Sequence, residues 1–259
     1  MPTVDVDGTA IYYEEHGAGE AILFAHGAGG NAAIWFEQVA VFARQYRCIT
    51  FDHRTFARSP ADPASVSVPR FSRDALALLD ALKVDRAHLV AQSMGGWTCL
   101  RLLLDHPERV ASLTMSCTPG GLPNQRPTDS MRNLTTSTGS SGAGVMGTMA
   151  KATAARPDRM LLYEAINAFN TGFSMSCLRG LADPEVAVSF EDAGRIECPV
   201  LFISGAEDPL FPSDLLASYV PYFRDARFEL IRDAGHSPYF EQPAVFNHLL
   251  AGFLEHGNG

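Results

Sequence analysis

The chain has no cluster of basic side chains, no C-x-x-C pair, no H-E-x-x-H, and no apolar run approaching the roughly 20 residues a membrane-spanning helix needs. Each absence removes a class of function. With 20 Lys and Arg against 29 Asp and Glu, the formal net charge is -9. Nothing therefore favours a polyanion, and neither nucleic acid nor a membrane is expected as a partner. The five cysteines, Cys48, Cys99, Cys117, Cys177 and Cys198, are odd in number and widely spaced, which fits neither a disulfide framework nor a zinc site. The eight histidines show no ligand spacing, so neither a metal nor an organic cofactor is expected. Met1 to Gly8 lacks the basic and apolar regions of a secretory leader, and a cytoplasmic location is the expectation.

What remains is 259 residues with 46% hydrophobic and 19% charged side chains, the make-up of a compact soluble domain of enzyme size. Six short apolar runs read as strands: Ala21 to Ala25, Cys48 to Phe51, His88 to Ala91, Val110 to Met115, Val200 to Ser204 and Phe228 to Ile231. Runs this continuous suit strands buried on both faces. Helical spacing lies between several of them, in Phe71, Leu78, Leu79 and Leu82, in Trp97, Leu100, Leu103 and Leu104, and in Val245, Phe246, Leu249, Leu250 and Phe253 after Pro243. Strands alternating with helices predict an α/β fold with a mainly parallel, doubly covered sheet. The opening segment, Thr3 to Val6 and Ile11 to Glu15 around Asp7-Gly8, reads instead as an antiparallel hairpin at one edge.

From residue 120 to 195 there are helical patterns and no strand, which predicts a helical lid inserted after the sixth strand. The core is then residues 1–119 and 196–259. Within the lid, Thr135 to Thr148 is rich in glycine and serine, and Met160 to Phe173 has helical spacing in Met160, Leu161, Tyr163, Ile166 and Phe169.

The sharpest feature is Ala91-Gln92-Ser93-Met94-Gly95-Gly96, placed directly between a strand and a helical pattern. Small residues there allow a tight turn that lifts the Ser93 hydroxyl clear of the sheet, with a helix N-terminus behind it. An ordinary helix N-cap is the plainer use of such a serine. A hydroxyl is a weak nucleophile and needs a base with a third group to orient it. His236, in Asp233-Ala234-Gly235-His236-Ser237-Pro238 after the last strand, is the candidate base. Asp208, in Gly205-Ala206-Glu207-Asp208-Pro209, is the candidate orienting acid, with Glu207 its competitor.

In these residues the sequence resembles the α/β-hydrolase superfamily. Its nucleophile elbow is G-x-S-x-G, here with Ala91 in place of the first glycine, and its triad runs in the order Ser, Asp, His. His26-Gly27-Ala28-Gly29-Gly30 resembles the family's H-G-x-x-G loop, which implies an oxyanion hole made by the backbone N–H groups of Ala28 and Met94, with His26 holding the loop. Asp52-His53-Arg54-Thr55-Phe56-Ala57-Arg58-Ser59 resembles D-x-R-G-x-G-x-S, with Thr55 and Ala57 where the family has glycines, and its charged residues are expected to tie the loop to the sheet.

The resemblance implies attack on a carbonyl, an acyl-enzyme and hydrolysis, as in small bacterial esterases and enol-lactonases. The expected substrate is a small, largely apolar acyl compound, met by Trp97, Met146, Phe173 and Phe211. Two other uses of the same fold stand beside this one: carbon-carbon hydrolysis of ring-cleavage diketones, and slow-turnover ligand perception.

Overall fold

The computed structural model describes residues 1–124, 147–173, 178, 180–181 and 184–256. Eight strands form one sheet in the order β1-β2-β4-β3-β5-β6-β7-β8. They are β1 (Thr3–Val6), β2 (Thr9–His16), β3 (Ala21–Ala25), β4 (Arg47–Phe51), β5 (Ala87–Gln92), β6 (Val110–Ser116), β7 (Val200–Gly205) and β8 (Ala226–Ile231). The β1-β2 hairpin joins β4 antiparallel, and every other neighbouring pair is parallel. All eight expected strands are present, with ends that differ by up to two residues.

Parallel strands need crossovers, and the helices that supply them cover both faces. In chain order they are α1 (Phe36–Phe42), α2 (Val68–Ala81), α3 (Met94–Asp105), α4 (Lys151–Ala154), α5 (Pro157–Asn167), α6 (Phe190–Ala193), α7 (Ser213–Ala217), α8 (Pro238–Glu241) and α9 (Pro243–His256). Side chains alternate across the pleat, so the sheet feeds two cores. Leu23, Leu89, Leu113 and Phe202 pack with α2 and α3 on one face. Ile22, Phe24, Val90, Leu201 and Ile203 pack with α8 and α9 on the other. No described helix is long and apolar enough to cross a membrane.

Between β6 and β7 the described residues hold helices and no strand. The helical spacing of Met160 to Phe173 extends too far, however: α5 stops at Asn167. Tyr163 and Ile166 are buried whereas Phe169 is 64% exposed. The chain turns there because Asn170 reaches back to donate to the Gly30 carbonyl and Phe173 stacks on Phe56, centroids 4.1 Å apart. The glycine- and serine-rich stretch up to residue 146, with Met131 and Met146, lies outside the described residues, as do Met175 and Cys177.

Thr55 and Ala57 keep a left-handed backbone, with φ of 72° and 37°. The loop therefore retains the positive φ values that glycine would adopt freely, at the steric cost a Cβ adds.

Close approach of α3 to the sheet depends on Gly95. A Cβ at that position would sit 2.2 Å from the Ala25 carbonyl oxygen of β3, and backbone cannot swing away as a side chain can. Gly95→Ala is expected to lower the unfolding free energy by about 2 kcal/mol, read as a lower urea midpoint; an unchanged midpoint would show that α3 has room to shift.

Candidate active site

Four strand ends converge on one edge of the sheet, the carboxyl edge at which open parallel sheets place their ligands. From β5 comes Ser93, the turn residue into α3, with φ 48° and ψ -118°. The Ser93 N–H donates to the Ser116 carbonyl at 3.1 Å and the Ser93 carbonyl accepts from Gly96 at 2.8 Å, which locks the turn to β6 and to the first turn of α3. The small-residue rule at the front of the turn is satisfied by Ala91, which is fully buried and paired with Ala25 and Met115. Ser93 itself is only partly buried.

His236 arrives five residues after β8. Its Nε2 lies 2.9 Å from Ser93 Oγ and its Nδ1 lies 3.0 Å from Asp208 Oδ2. Because an ionised carboxylate only accepts, the proton belongs on Nδ1, leaving Nε2 free to accept from the Ser93 hydroxyl. Asp208 is aimed from the far side: its Oδ1 accepts from the N–H groups of Leu210 at 2.8 Å and Phe211 at 3.3 Å. Sequence order had left Glu207 as a competitor. The structure turns that side chain to a different task, accepting from the Lys151 N–H at the start of α4.

Cys117, at φ 48°, lies beside this pair. Its sulfur accepts from the Gly205 N–H and meets the Gly235 carbonyl, and burial pushes its thiol well above the ordinary range. Potential ligand atoms of Cys117, Asp208 and His236 lie within 4.8 Å of one another. Both Asp208 oxygens and His236 Nδ1 are already engaged within the protein, and the thiol is held protonated, so this donor set does not fit a resident metal.

The His26-Gly27-Ala28 loop presses on the turn. A Cβ on Gly27 would sit 2.0 Å from Gln92 Oε1 and 2.9 Å from the Ser93 Cβ, so any larger residue there would have to displace the Gln92 amide. Neither the Ala28 nor the Met94 N–H has a hydrogen-bond partner among the described residues. Both residues belong to one apolar cluster with Phe56, Phe71, Phe173 and Leu178. Of the expected substrate contacts, Phe173 thus joins the residues around the turn, and Phe211 lies with its ring centroid 5.8 Å from that of His236. Trp97 lies 6.3 Å from Phe211, its Nε1 donating to the Leu181 carbonyl at 3.1 Å. Met146 falls outside the described residues.

The charged loop residues are committed elsewhere. Arg54 forms a bidentate pair with Asp74, both fully buried, and Arg58 pairs with Asp52 and Glu14. Asp52 also accepts from the Ala32 N–H, fastening the two loops together.

The chain belongs to the α/β-hydrolase fold family, whose model matches residues 20–172. Among its relatives, RutD of Variovorax paradoxus, provisionally named a carbamate hydrolase, is 30% identical over 94% of this chain and 96% of its own. The 3-oxoadipate enol-lactonase 2 of Acinetobacter baylyi is 25% identical over 99% of this chain and 97% of its own. In structure, Est816, described as an N-acyl homoserine lactone degrading enzyme, superposes with a TM-score of 0.84 and 29% identity, covering 97% of this chain and all of that one. Their names cover a carbamate, an enol-lactone and an N-acyl homoserine lactone.

Sequence reasoning singled out Ser93, His236, Asp208 and the glycine loop, which the structure brings together. It missed Gln92, which donates to the His236 carbonyl at 2.9 Å, and Glu241, which holds the backbone on both sides of His236. Neither role shows in the sequence: Gln92 meets His236 only once the strands are aligned, and Glu241 joins its near neighbours Gly235 and Ser237 to the distant Ala150.

His26 is fully buried. Its Nδ1 bonds the Gly27 carbonyl at 2.8 Å and its Nε2 accepts from the His53 N–H at 3.0 Å, a neutral ring used from both sides. Burial lowers its pKa from 6.5 to about 4, and burial likewise pushes His53 well below 6.5. The unfolded chain takes up a proton at His26 near pH 6.5 that the folded chain refuses until about pH 4. Unfolding free energy should therefore be undiminished above that window and fall as pH drops through it, by about 3 kcal/mol from this residue. Imidazole ¹⁵N shifts of the folded protein at about pH 5 should report a neutral His26; a ring already protonated there would overturn this.

Proposed function

We propose that the protein is a serine hydrolase of carboxylic esters or lactones, acting through an acyl-enzyme. The observation that carries the reading is the unbroken chain from Ser93 Oγ through His236 to Asp208, with contacts of 2.9 and 3.0 Å. In this reading His236 takes the Ser93 proton as Oγ attacks the carbonyl, and returns it to the leaving oxygen. Asp208 fixes the ring and stabilises the imidazolium. The N–H groups of Ala28 and Met94 receive the oxyanion, aided by the N-terminus of α3. Water then enters and is activated by the same histidine. No metal or organic cofactor is required.

The substrate class follows from what surrounds the turn. Ala28, Met94, Phe56 and Phe173 offer apolar contact, and the two loop arginines that could recognise a carboxylate are bound to Asp74 and Asp52. A neutral acyl group of modest size fits this site better than a carboxylate-bearing diketone, which disfavours carbon-carbon hydrolysis. In this proposal residues 120–195 form the lid over the acyl group, and Trp97, Met146, Phe173 and Phe211 touch it. The partner is a small molecule, and the protein works in the cytoplasm. The similarity to RutD supports a second reading, carbamate cleavage: the same serine attack on a carbonyl that carries nitrogen on one side.

Ser93→Ala should lower turnover of a chromogenic ester by about 10⁴- to 10⁶-fold while leaving the melting temperature close to the parent value. Near-parental hydrolysis by that variant would sink the assignment. Across esters, lactones, carbamates and ring-cleavage diketones assayed together, kcat/KM should peak at short to medium neutral acyl groups. A peak on carbamates would select the second reading, and one on charged diketones would refute both.

A further inference from the structure

Glu241 lies in α8, and its carboxylate reaches into the protein interior, leaving the residue 6% exposed. A carboxylate this deep needs donors, and it has three backbone N–H groups, with the buried Thr153 hydroxyl beside them. Oε1 accepts from Gly235 N at 2.9 Å and from Ser237 N at 3.0 Å, the two residues that flank His236. Oε2 accepts from Ala150 N at 2.7 Å, immediately before α4. Burial raises the pKa of the carboxyl, and the three N–H groups with the Thr153 hydroxyl offset that only in part. The three backbone N–H groups can only donate, so the carboxylate meets them as an acceptor.

The remaining contacts of the histidine turn lead to the same segment. The His236 N–H donates to the Thr148 carbonyl at 2.9 Å. Gly235 is pressed so closely against residues 148–150 that a Cβ there would sit 2.3 Å from Thr148 O and 2.7 Å from Ala150 N. Glu207, next to Asp208, holds the following residue by accepting from Lys151 N at 3.1 Å. The base turn, the acid turn and the start of α4 are thus stitched into one unit, and Glu241 is the side chain common to the base turn and α4.

We propose that Glu241 is a positioning residue that sets the reach of His236 toward Ser93 by clamping the backbone on both sides of the histidine to Ala150, the residue that leads into α4. This rests on the serine-hydrolase reading above. Glu241 touches neither Ser93 nor substrate; it acts through where it holds the histidine. Misplacement of a reacting group by about 1 Å costs on the order of 10²-fold in rate, and a clamp on both neighbours of His236 governs a displacement of that size.

The test uses the whole chain and two variants. In Glu241→Gln the amide oxygen can still accept from Gly235 and Ser237, but the amide nitrogen then faces the Ala150 N–H, donor against donor; Glu241→Ala removes all three bonds. With a chromogenic ester, kcat should fall about 10-fold in the first and about 10²-fold in the second, with KM within about twofold of the parent in both. The rate of fluorophosphonate labelling at Ser93 should fall in step with kcat, measured on protein shown by circular dichroism and melting to be folded at the assay temperature. If Glu241→Ala does not fold, the glutamine variant decides alone. Parental kcat and labelling rate in a folded variant would overturn the proposal, as would a loss confined to KM or one matching the unfolded fraction. Parent protein and His236→Ala run alongside separate the two claims. Failure of the parent to label at Ser93, or full activity without His236, refutes the hydrolase reading; a normal parent with an indifferent Glu241 refutes only the clamp.

Discussion

A single backbone constraint organises the molecule: the chain must leave β5 at Ser93 with φ at 48° and start a helix on the next residue. An L-residue held there is strained by roughly 1 to 3 kcal/mol. The surroundings hold it in place, through Ser116 on the neighbouring strand and through Gly95 and Gly96, whose missing side chains let α3 lie against β3 and Thr118. The strain lifts one hydroxyl out of a buried sheet into the partly exposed position where it meets His236. The glycine loop after β3, the Asp208 turn after β7 and the His236 turn after β8 gather around that point because parallel pairing ends all four strands at the same edge.

Polar groups around the site serve position more than solubility. His26 is neutral and bonded through both nitrogens, Asp52 ties the loop after β4 to the one after β3, and Arg54 with Asp74 anchors that same loop to α2. Each is buried and each is satisfied by a specific partner, the condition under which burying such groups is tolerable. Their commitment leaves the surroundings of Ser93 apolar, and the preference proposed for neutral acyl groups follows from it.

Much of this was legible in the sequence, for physical reasons. Strands covered on both faces must be apolar throughout, so runs such as Ala21 to Ala25 and Val200 to Ser204 marked the sheet within a residue or two. Ser93, Asp208 and His236 stood at turns that follow strands, and the fold brings all three within hydrogen-bond reach. The loop after β4 was harder: Thr55 and Ala57 replace glycines, yet the backbone keeps its positive φ because neighbouring contacts outweigh the local penalty. Phe169 misled because a helical period continued in the letters after α5 had ended, where the bonds from Asn170 and the Phe173 stack won. Glu241 gave no signal, since one of its oxygens serves the nearby Gly235 and Ser237 and the other reaches Ala150, which is 91 positions away in the chain.

The account stands on Ser93 becoming covalently acylated by substrate. Rapid mixing with an activated acetate ester, acid quenching within the first turnover and peptide mass spectrometry would read this directly. The account predicts one acetyl group on the peptide bearing Ser93, formed in the burst of alcohol release and lost as water turns the enzyme over. Steady hydrolysis with no acyl group on Ser93 at any time, or an acyl group on a different residue that forms and decays at the turnover rate, would contradict it.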